Sequence, residues 1–450
     1  MSALPPKFEE SIKRQLGDEF QGFLASLQQP PPVSIRTHPI KTNKPMVKQP
    51  VPWAEFGYYL GSRPSFTLDP LFHAGSYYVQ EASSMFLEQA LKQTVDLNRP
   101  IAVLDLCAAP GGKSTHILSL LNRDSLLVSN EAIRTRASIL SENIQKWGYP
   151  NAVVTNNDPS DFRRLKGFFD VMVIDAPCSG EGLFRKDPHA ISEWSPEDVH
   201  LCSGRQKRIV SDAWDALREN GILIYCTCTF NASENEDNLK WLRENHSVEF
   251  LGLSVDPEWN VKEVNAEGIK GYRFFPHRVQ GEGFYLCVIR KTETTGETRI
   301  RTKHSIAAPP KQIQERLSEW TLDLGQNSFY QFDDLVFYTP SSISEEIQFL
   351  LQTLKIMYAG TNVATVKHDK LIPEHALALS VEVNKNNLLL CEVSETEALK
   401  YLRKECILLE GAPVGFTLLT YHNLPIGWAN VLSNRVNNMY PSDWRIRMKS

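Results

Sequence analysis

Several signals that would classify a chain of this length are missing. The eight cysteines (Cys107, Cys178, Cys202, Cys226, Cys228, Cys287, Cys391 and Cys406) contain no C-x-x-C pair, so the usual structural zinc spacings are absent and no metal site is expected. Spread over 450 residues, they are too sparse for the disulfide framework of a small secreted domain. Residues 1–15 mix Lys, Glu and Arg without an apolar stretch, so no secretory leader is expected. No run approaches the roughly 18 apolar residues of a membrane span. A basic excess is lacking too: Lys+Arg minus Asp+Glu is 48 − 53 = −5, with a pI near 6.2. On bulk charge alone a nucleic-acid partner is not indicated. No repeat of fixed period is visible. These absences point to a soluble protein of a reducing compartment, expected in the cytoplasm and by default a monomer, with an ordinary globular composition of 42% hydrophobic and 22% charged residues.

What is present is length and alternation. At about 150 residues per domain, two or three domains are expected. Residues 1–75 are polar and Pro-rich, with Gln28-Gln29-Pro30-Pro31-Pro32 ahead of Val33-Ser34-Ile35-Arg36. From about residue 100, short apolar runs (101–106, 126–129, 152–155, 171–174, 222–227 and 284–289) alternate with helical patterns (113–122, 132–147, 196–219 and 233–244). Strands alternating with helices predict an α/β fold, a doubly wound and mostly parallel sheet covered on both faces. The stretch 292–312, rich in Thr, Gly and charge, reads as a linker. The expected division is therefore 1–75, 76–291, 292–312 and 313–450, with small α+β regions flanking the sheet.

The first strand runs into Asp105-Leu106-Cys107-Ala108-Ala109-Pro110-Gly111-Gly112-Lys113-Ser114. Gly112-Lys113-Ser114 imitates the end of a P-loop, but that motif needs glycine where Cys107 stands, so the phosphate cradle is incomplete. A nucleotide-type site at the carboxyl ends of the strands fits better. Its expected acidic partner is Glu131, 19 residues after Gly112 and directly after the second strand. Without a G-x-G-x-x-G pattern, an adenosyl ligand lacking phosphates is favoured over a dinucleotide. Lys113, at a helix start, reads as a solvated residue.

Two cysteines occupy comparable strand ends. Asp175-Ala176-Pro177-Cys178-Ser179-Gly180 follows the fourth strand, and Thr227-Cys228-Thr229 follows the fifth. A thiol there is a nucleophile once its site favours the thiolate. Cys226 reads as structural, and Cys202, Cys287, Cys391 and Cys406 read as parts of helical or strand patterns. Ser233-Glu234-Asn235-Glu236 reads as a capping box, with Ser233 at the N-cap and Glu236 at the third helical position.

Together these segments resemble the RNA cytosine-5 methyltransferases of the bacterial rRNA and Nop2/Sun group. Further matches are Gly75-x-Tyr77-x-x-Gln80-Glu81-x-Ser83-Ser84, Glu234-Asn235-Glu236, Arg273-Phe274-x-Pro276-His277 and Gly281-Glu282-Gly283-Phe284. The tail resembles the F-type 16S rRNA subfamily through Pro373-Glu374-His375-Ala376-Leu377, Tyr401-Leu402-Arg403, Leu424-Pro425-Ile426-Gly427-Trp428 and Asn437-Asn438-Met439-Tyr440-Pro441. The resemblance implies a Rossmann-like S-adenosylmethionine-dependent methyltransferase domain at 76–291, an N-terminal RNA-binding region and a C-terminal PUA-like RNA-binding module. It implies S-adenosylmethionine held by Cys107, Ala108, Ala109, Pro110, Gly111, Gly112 and Lys113, with Glu131 on the ribose, Asp158 near the adenine and Asp175 facing the reaction. Cys228 would be the nucleophile and Cys178 would assist release.

Arg36-Thr37-His38 departs from the family's usual Arg-x-Asn, which puts an N-terminal RNA contact in question. The substrate implied is RNA, 16S rRNA in particular; tRNA methylation and a non-catalytic ribosome-assembly factor are the alternatives. For such a partner, charge sorts locally. Residues 31–50 carry +4, 272–303 carry +4 and 416–450 carry +3, and these three segments are expected to line one RNA-facing surface.

Overall fold

The computed structural model describes residues 4–42, 49–296, 298, 300, 306–322, 327–368 and 370–448. The central element is a ten-stranded sheet. Its parallel part consists of β1 (Ala102–Asp105), β2 (Leu126–Asn130), β3 (Ala152–Thr155), β4 (Phe169–Asp175) and β5 (Leu217–Thr227). They lie in the order β3-β2-β1-β4-β5, so the strand order reverses between β1 and β4. Ligands of doubly wound sheets bind at such a reversal. An antiparallel strand, β6 (Phe284–Lys291), pairs with β5, and Ile269–Phe274 and Lys262–Ala266 continue that edge.

The strands are continuous apolar runs because both faces are covered. Along β1 and β4, Val103, Val171 and Val173 face one core, while Leu104, Met172 and Ile174 face the other. The first core is closed by α1 (Gly112–Leu120), α2 (Arg134–Trp147) and the helix Leu87–Thr94. The second is closed by α3 (Pro196–Ala213), α4 (Glu236–Asn245) and the helix Ser344–Thr353 of the C-terminal region. The helical pattern expected to reach residue 219 stops at Ala213. After one 3-10 turn the chain has already entered β5 at Leu217, whose side chain is buried in the second core.

Both flanking regions are tied into this body. An N-terminal four-stranded sheet holds Val33–Thr37 at its centre and includes Tyr77–Val79, beyond the expected boundary at residue 75. The C-terminal region carries two four-stranded sheets, and its strand Ile356–Ala359 adds antiparallel to β3 in the central sheet. Cys406 lies outside the neighbouring helix, which ends at Leu402, and is exposed.

The expected basic surface is not formed as a unit. Arg36, Lys41, Arg273 and Lys291 are buried. The Arg273 guanidinium is spent on Glu236, and Lys291 donates to the carbonyls of Trp214 and Leu217. Because β6 runs antiparallel to β5, Phe284 lies at the carboxyl end of the sheet and Arg290 at the opposite end. Five residues of strand separate Tyr285 from Arg290, about 17 Å at 3.3–3.4 Å per residue. Lys44, Lys48, Arg299, Arg301, Lys303 and Lys449 lie outside the described residues.

Candidate active site

The loop after β1 makes the first wall. Leu106 N bonds to Val173 O and Ala108 N to Asn130 O, which pin the loop across β4 and β2. Gly111 sits at φ 114°, a conformation an L side chain rarely adopts, and α1 begins at the next residue. The loop and helix bound a cavity of ≈170 Å3, whose lining includes Asp105, Cys107, Ala108, Ala109, Pro110, Gly112, Lys113 and Asp175. Tyr78, Gln80 and Glu81 close it from the N-terminal region.

Asp105 is fully buried beside this cavity. Its Oδ2 accepts a 2.6 Å bond from Ser114 Oγ, while Oδ1 has no partner. Burial, reinforced by Asp175 and opposed by the Ser114 bond, pushes its carboxyl up to about 7. A cationic ligand group would satisfy the bare oxygen.

Lys113 is not the solvated residue that a helix start suggests; it lines the cavity with the rest of the loop. Its Nζ lies 2.7 Å from Asp175 Oδ2, and its side chain is only 11% exposed. Burial acts to lower this ammonium, but the charge and hydrogen bond of Asp175 beside it lift it above its ordinary value. The signal for this role was the alignment of a helix start with the end of β4, which sequence spacing does not show.

Glu131 and Asp158 stand at the ends of β2 and β3, on the same edge of the sheet. Glu131 is buried; its Oε1 accepts from Ile133 N, and Arg136 lies 3.4 Å from Oε2. Asp158 caps the turn Pro159–Arg164 through Ser160 N. Burial works against its charge, but the Ser160 bonds and Arg208 hold its carboxyl below the usual value. Burial pushes the Cys107 thiol well up.

The second wall brings the two strand-end cysteines together, with Cys178 Sγ and Cys228 Sγ 3.0 Å apart. Contact with Cys228, then burial, drives the Cys178 thiol well above its ordinary value. Cys226, opposite Asp175 in the β4–β5 ladder, is buried as expected of a structural residue.

The capping box is not formed. Helix α4 starts at Glu236, and its N-cap is Asn235 without a side-chain cap bond. Longer-range contacts win. Glu234 accepts from Ser179 and Gln206, Asn235 bonds Thr227 and Thr229, and Glu236 pairs with Arg273. Arg36 and His38 are likewise internal. Arg36 donates to Gln80 and Thr115 and stacks 4.4 Å from Trp147; His38 bonds Trp147 O. A groove of ≈1330 Å3 opens between the N-terminal sheet and the loops after β4 and before β6, and shares Val79, Gln80 and Glu81 with the cavity. Arg63, Arg185, Lys186 and Gln280 are among the groove's lining residues.

Comparison with known proteins matches this layout region by region. Residues 92–290 fit the family model of the 16S rRNA methyltransferase RsmB/F, 4–82 the N-terminal domain of 16S rRNA methyltransferase RsmF, and 389–446 the methyltransferase RsmF PUA domain. Ribosomal RNA small subunit methyltransferase F of Escherichia coli O127:H6 is 31% identical, covering 94% of this chain and 92% of that protein. The O157:H7 protein of the same name is 32% identical with the same coverage. A methyltransferase homolog from Pyrococcus horikoshii superimposes with a TM-score of 0.52 at 26% identity, covering 64% of this chain and all of that one. NSun6 from Pyrococcus horikoshii, solved with the S-adenosylmethionine analogue SFG, shares the fold, with a TM-score of 0.53 at 19% identity over 64% of this chain and 98% of that one. With three family models matched in order along the chain and homology over nearly its whole length, the protein belongs to the RsmB/F family of 16S rRNA methyltransferases.

Proposed function

We propose that the protein methylates C5 of a cytosine in 16S rRNA, with Cys228 bonded to C6 of the base during transfer. The observation that carries this reading is the pair of thiols 3.0 Å apart at the carboxyl end of the sheet, next to the Asp175–Lys113 ion pair and the Asp105 cavity. The cofactor is S-adenosylmethionine, which supplies an electrophilic methyl group when bound. The residues fit it: Asp105 offers an unpartnered carboxylate oxygen to a cationic ligand, the loop 107–113 approaches closely, and Glu131 and Asp158 extend the site along the sheet edge.

Cytosine C5 is a weak nucleophile. Addition of the Cys228 thiolate to C6 moves electron density to C5, which can then take a methyl group. As charge shifts across the ring N3 takes up a proton, and the Asp175 carboxylate, ion-paired with Lys113, would accept the N3–H hydrogen bond. A base then removes the C5 proton, and the Cys228–C6 bond breaks. We assign Cys178 to the departure of Cys228 from C6: its thiol lies 3.0 Å from the Cys228 sulfur and can hand a proton to it as that bond breaks. The target base must leave its stack to reach the thiols. The groove that adjoins the cavity and the PUA region are the surfaces we assign to the rRNA. We take the working form to be a cytoplasmic monomer acting on rRNA within a ribosomal subunit.

Bisulfite sequencing of 16S rRNA from cells lacking the protein should show one or more cytosines losing protection, restored by the parent gene. Cys228→Ala should lower transfer at least about 10³-fold and abolish the covalent RNA adduct. Cys178→Ala should accumulate that adduct. An adduct that survives loss of Cys228 but not of Cys178 would reverse the assignment.

A further inference from the structure

We infer that Glu181 and Glu234 act as reciprocal positioning residues, each reaching from one cysteine-bearing loop into the other to fix the separation of Cys178 and Cys228. Glu181 lies on the loop after β4, three residues beyond Cys178. It accepts from the far loop, through Oε2 from Phe230 N at 3.1 Å and through Oε1 from Asn231 Nδ2 at 3.2 Å. Glu234 lies on the loop after β5 and accepts in the other direction, from Ser179 N at 3.0 Å and from Ser179 Oγ. Gln206 Nε2 completes the frame, donating to Glu234 at 2.8 Å and to Pro177 O at 2.9 Å. Gly182 N adds a direct 2.9 Å bond to Cys228 O.

The cost of this arrangement argues that it does more than hold the fold. Glu234 is 0% exposed and Glu181 3%. Among the described residues, no Lys or Arg forms an ion pair with either. Two carboxyl groups without cations, buried beside thiols, are expensive to keep. A surface capping box, for which the local sequence is suited, would cap the helix more cheaply. The buried alternative supplies something a cap cannot: acceptors for the amides of Ser179 and Phe230, each one or two residues from a reactive thiol. Burial also pushes the Glu181 carboxyl up to about 7 and raises that of Glu234, against the donors around them, which favour the charged form. Neither residue touches the reacting atoms; both act through the loops that carry the cysteines.

The test uses the full chain with Glu181→Ala, Glu234→Ala, Glu181→Gln and Glu234→Gln. The first readout is closure of a Cys178–Cys228 disulfide by diamide, followed by peptide mass mapping. Each thiol gives up one proton and one electron to diamide, which is reduced to its hydrazine, and one S–S bond forms. Removing a nearby negative charge would by itself ease thiolate formation and speed this reaction. We therefore expect the opposite, closure about 10-fold slower in the Ala variants and partly restored by Gln, as a measure of loop separation. The second readout is single-turnover methyl transfer, expected to fall by about 10- to 100-fold with the dissociation constant for S-adenosylmethionine and the Tm little changed. Closure rates within about twofold of the parent in the folded Ala variants would overturn the proposal. If the Ala variants do not fold, Glu181→Asp and Glu234→Asp, whose shorter side chains fall short of the opposite loop, decide it by the same criterion. Disulfide closure needs no RNA, so a parent protein that closes in a Glu-dependent way yet modifies no rRNA would refute the proposed function and leave this inference standing.

Discussion

Asp105 shows how much a single side chain can trade. Its carboxyl is pushed up to about 7 from an ordinary value of 3.8, and one oxygen is left without a partner. The folded protein therefore binds a proton that the unfolded chain has released at any pH between about 4 and 7. Stability from this group is present below pH 4 and is lost as pH rises through 7, by at most about 4 kcal/mol. The expected result is that ligand-free Asp105→Asn melts higher than the parent at pH 7, with the gap closing toward pH 4, while its affinity for S-adenosylmethionine falls. Melting curves from pH 4 to 8 check this, and parallel curves for the two proteins would contradict it. The positions of Asp175, Cys178 and Cys228 were legible because each ends or follows an apolar run, which puts them at the carboxyl edge of a parallel sheet, whereas the buried Asp105 at the end of β1 was passed over as part of the motif. Lys113, Glu181 and Glu234 were not, because their partners lie tens of residues away and the local pattern suggested a solvated lysine and a helix cap.

At the scale of elements, the two cysteine loops meet through glycine. A Cβ on Gly182 would strike the backbone carbonyls of Gly283 and Cys228, so the strand-end loops approach only because no side chain stands between them. Gly182→Ala should force the loops apart, costing about 1–3 kcal/mol and slowing methyl transfer while cofactor affinity holds. Gly204 provides the contrast. It lies in α3, exposed, with open space around its Cβ position, and Gly204→Ala should stabilise by about 0.5–1 kcal/mol. Denaturant melts and single-turnover rates for the pair test this; equal behaviour would show that the close approach does not matter. Alternation of apolar runs located β1 to β6 to within a few residues, because buried parallel strands advertise themselves. The strand Ile356–Ala359 escaped notice for the converse reason: four residues joining β3 from some 200 positions away leave no periodic trace.

Over the whole molecule, charge counted along the chain proved a poor guide to charge on the surface. The acidic total of −5 argued against RNA, and three basic windows argued for one RNA-facing surface. The structure supports neither reading as stated, since four of the basic side chains in those windows are buried and β6 carries Arg290 away from the thiols. A composition window cannot see that Arg36 holds the N-terminal sheet to α1, or that Arg273 holds α4. Basic residues free to meet phosphate near the site come instead from elsewhere, with exposed Lys186 and Arg63 lining the groove that adjoins the cavity. Lys186 stands on the loop after β4, whereas Arg290 is at the far end of the sheet and pairs with Glu249. Each phosphate contact releases condensed counterions, so losing one weakens binding and flattens its salt dependence. Lys186→Gln should therefore reduce affinity for 16S rRNA and lower the slope of log K against log salt by about 1, whereas Arg290→Gln should leave both unchanged. Filter binding across a salt series measures both quantities. Equal losses from the two variants would mean that RNA wraps to the far end of the sheet, and a loss from Arg290 alone would place the rRNA on the opposite side from the thiols it must reach.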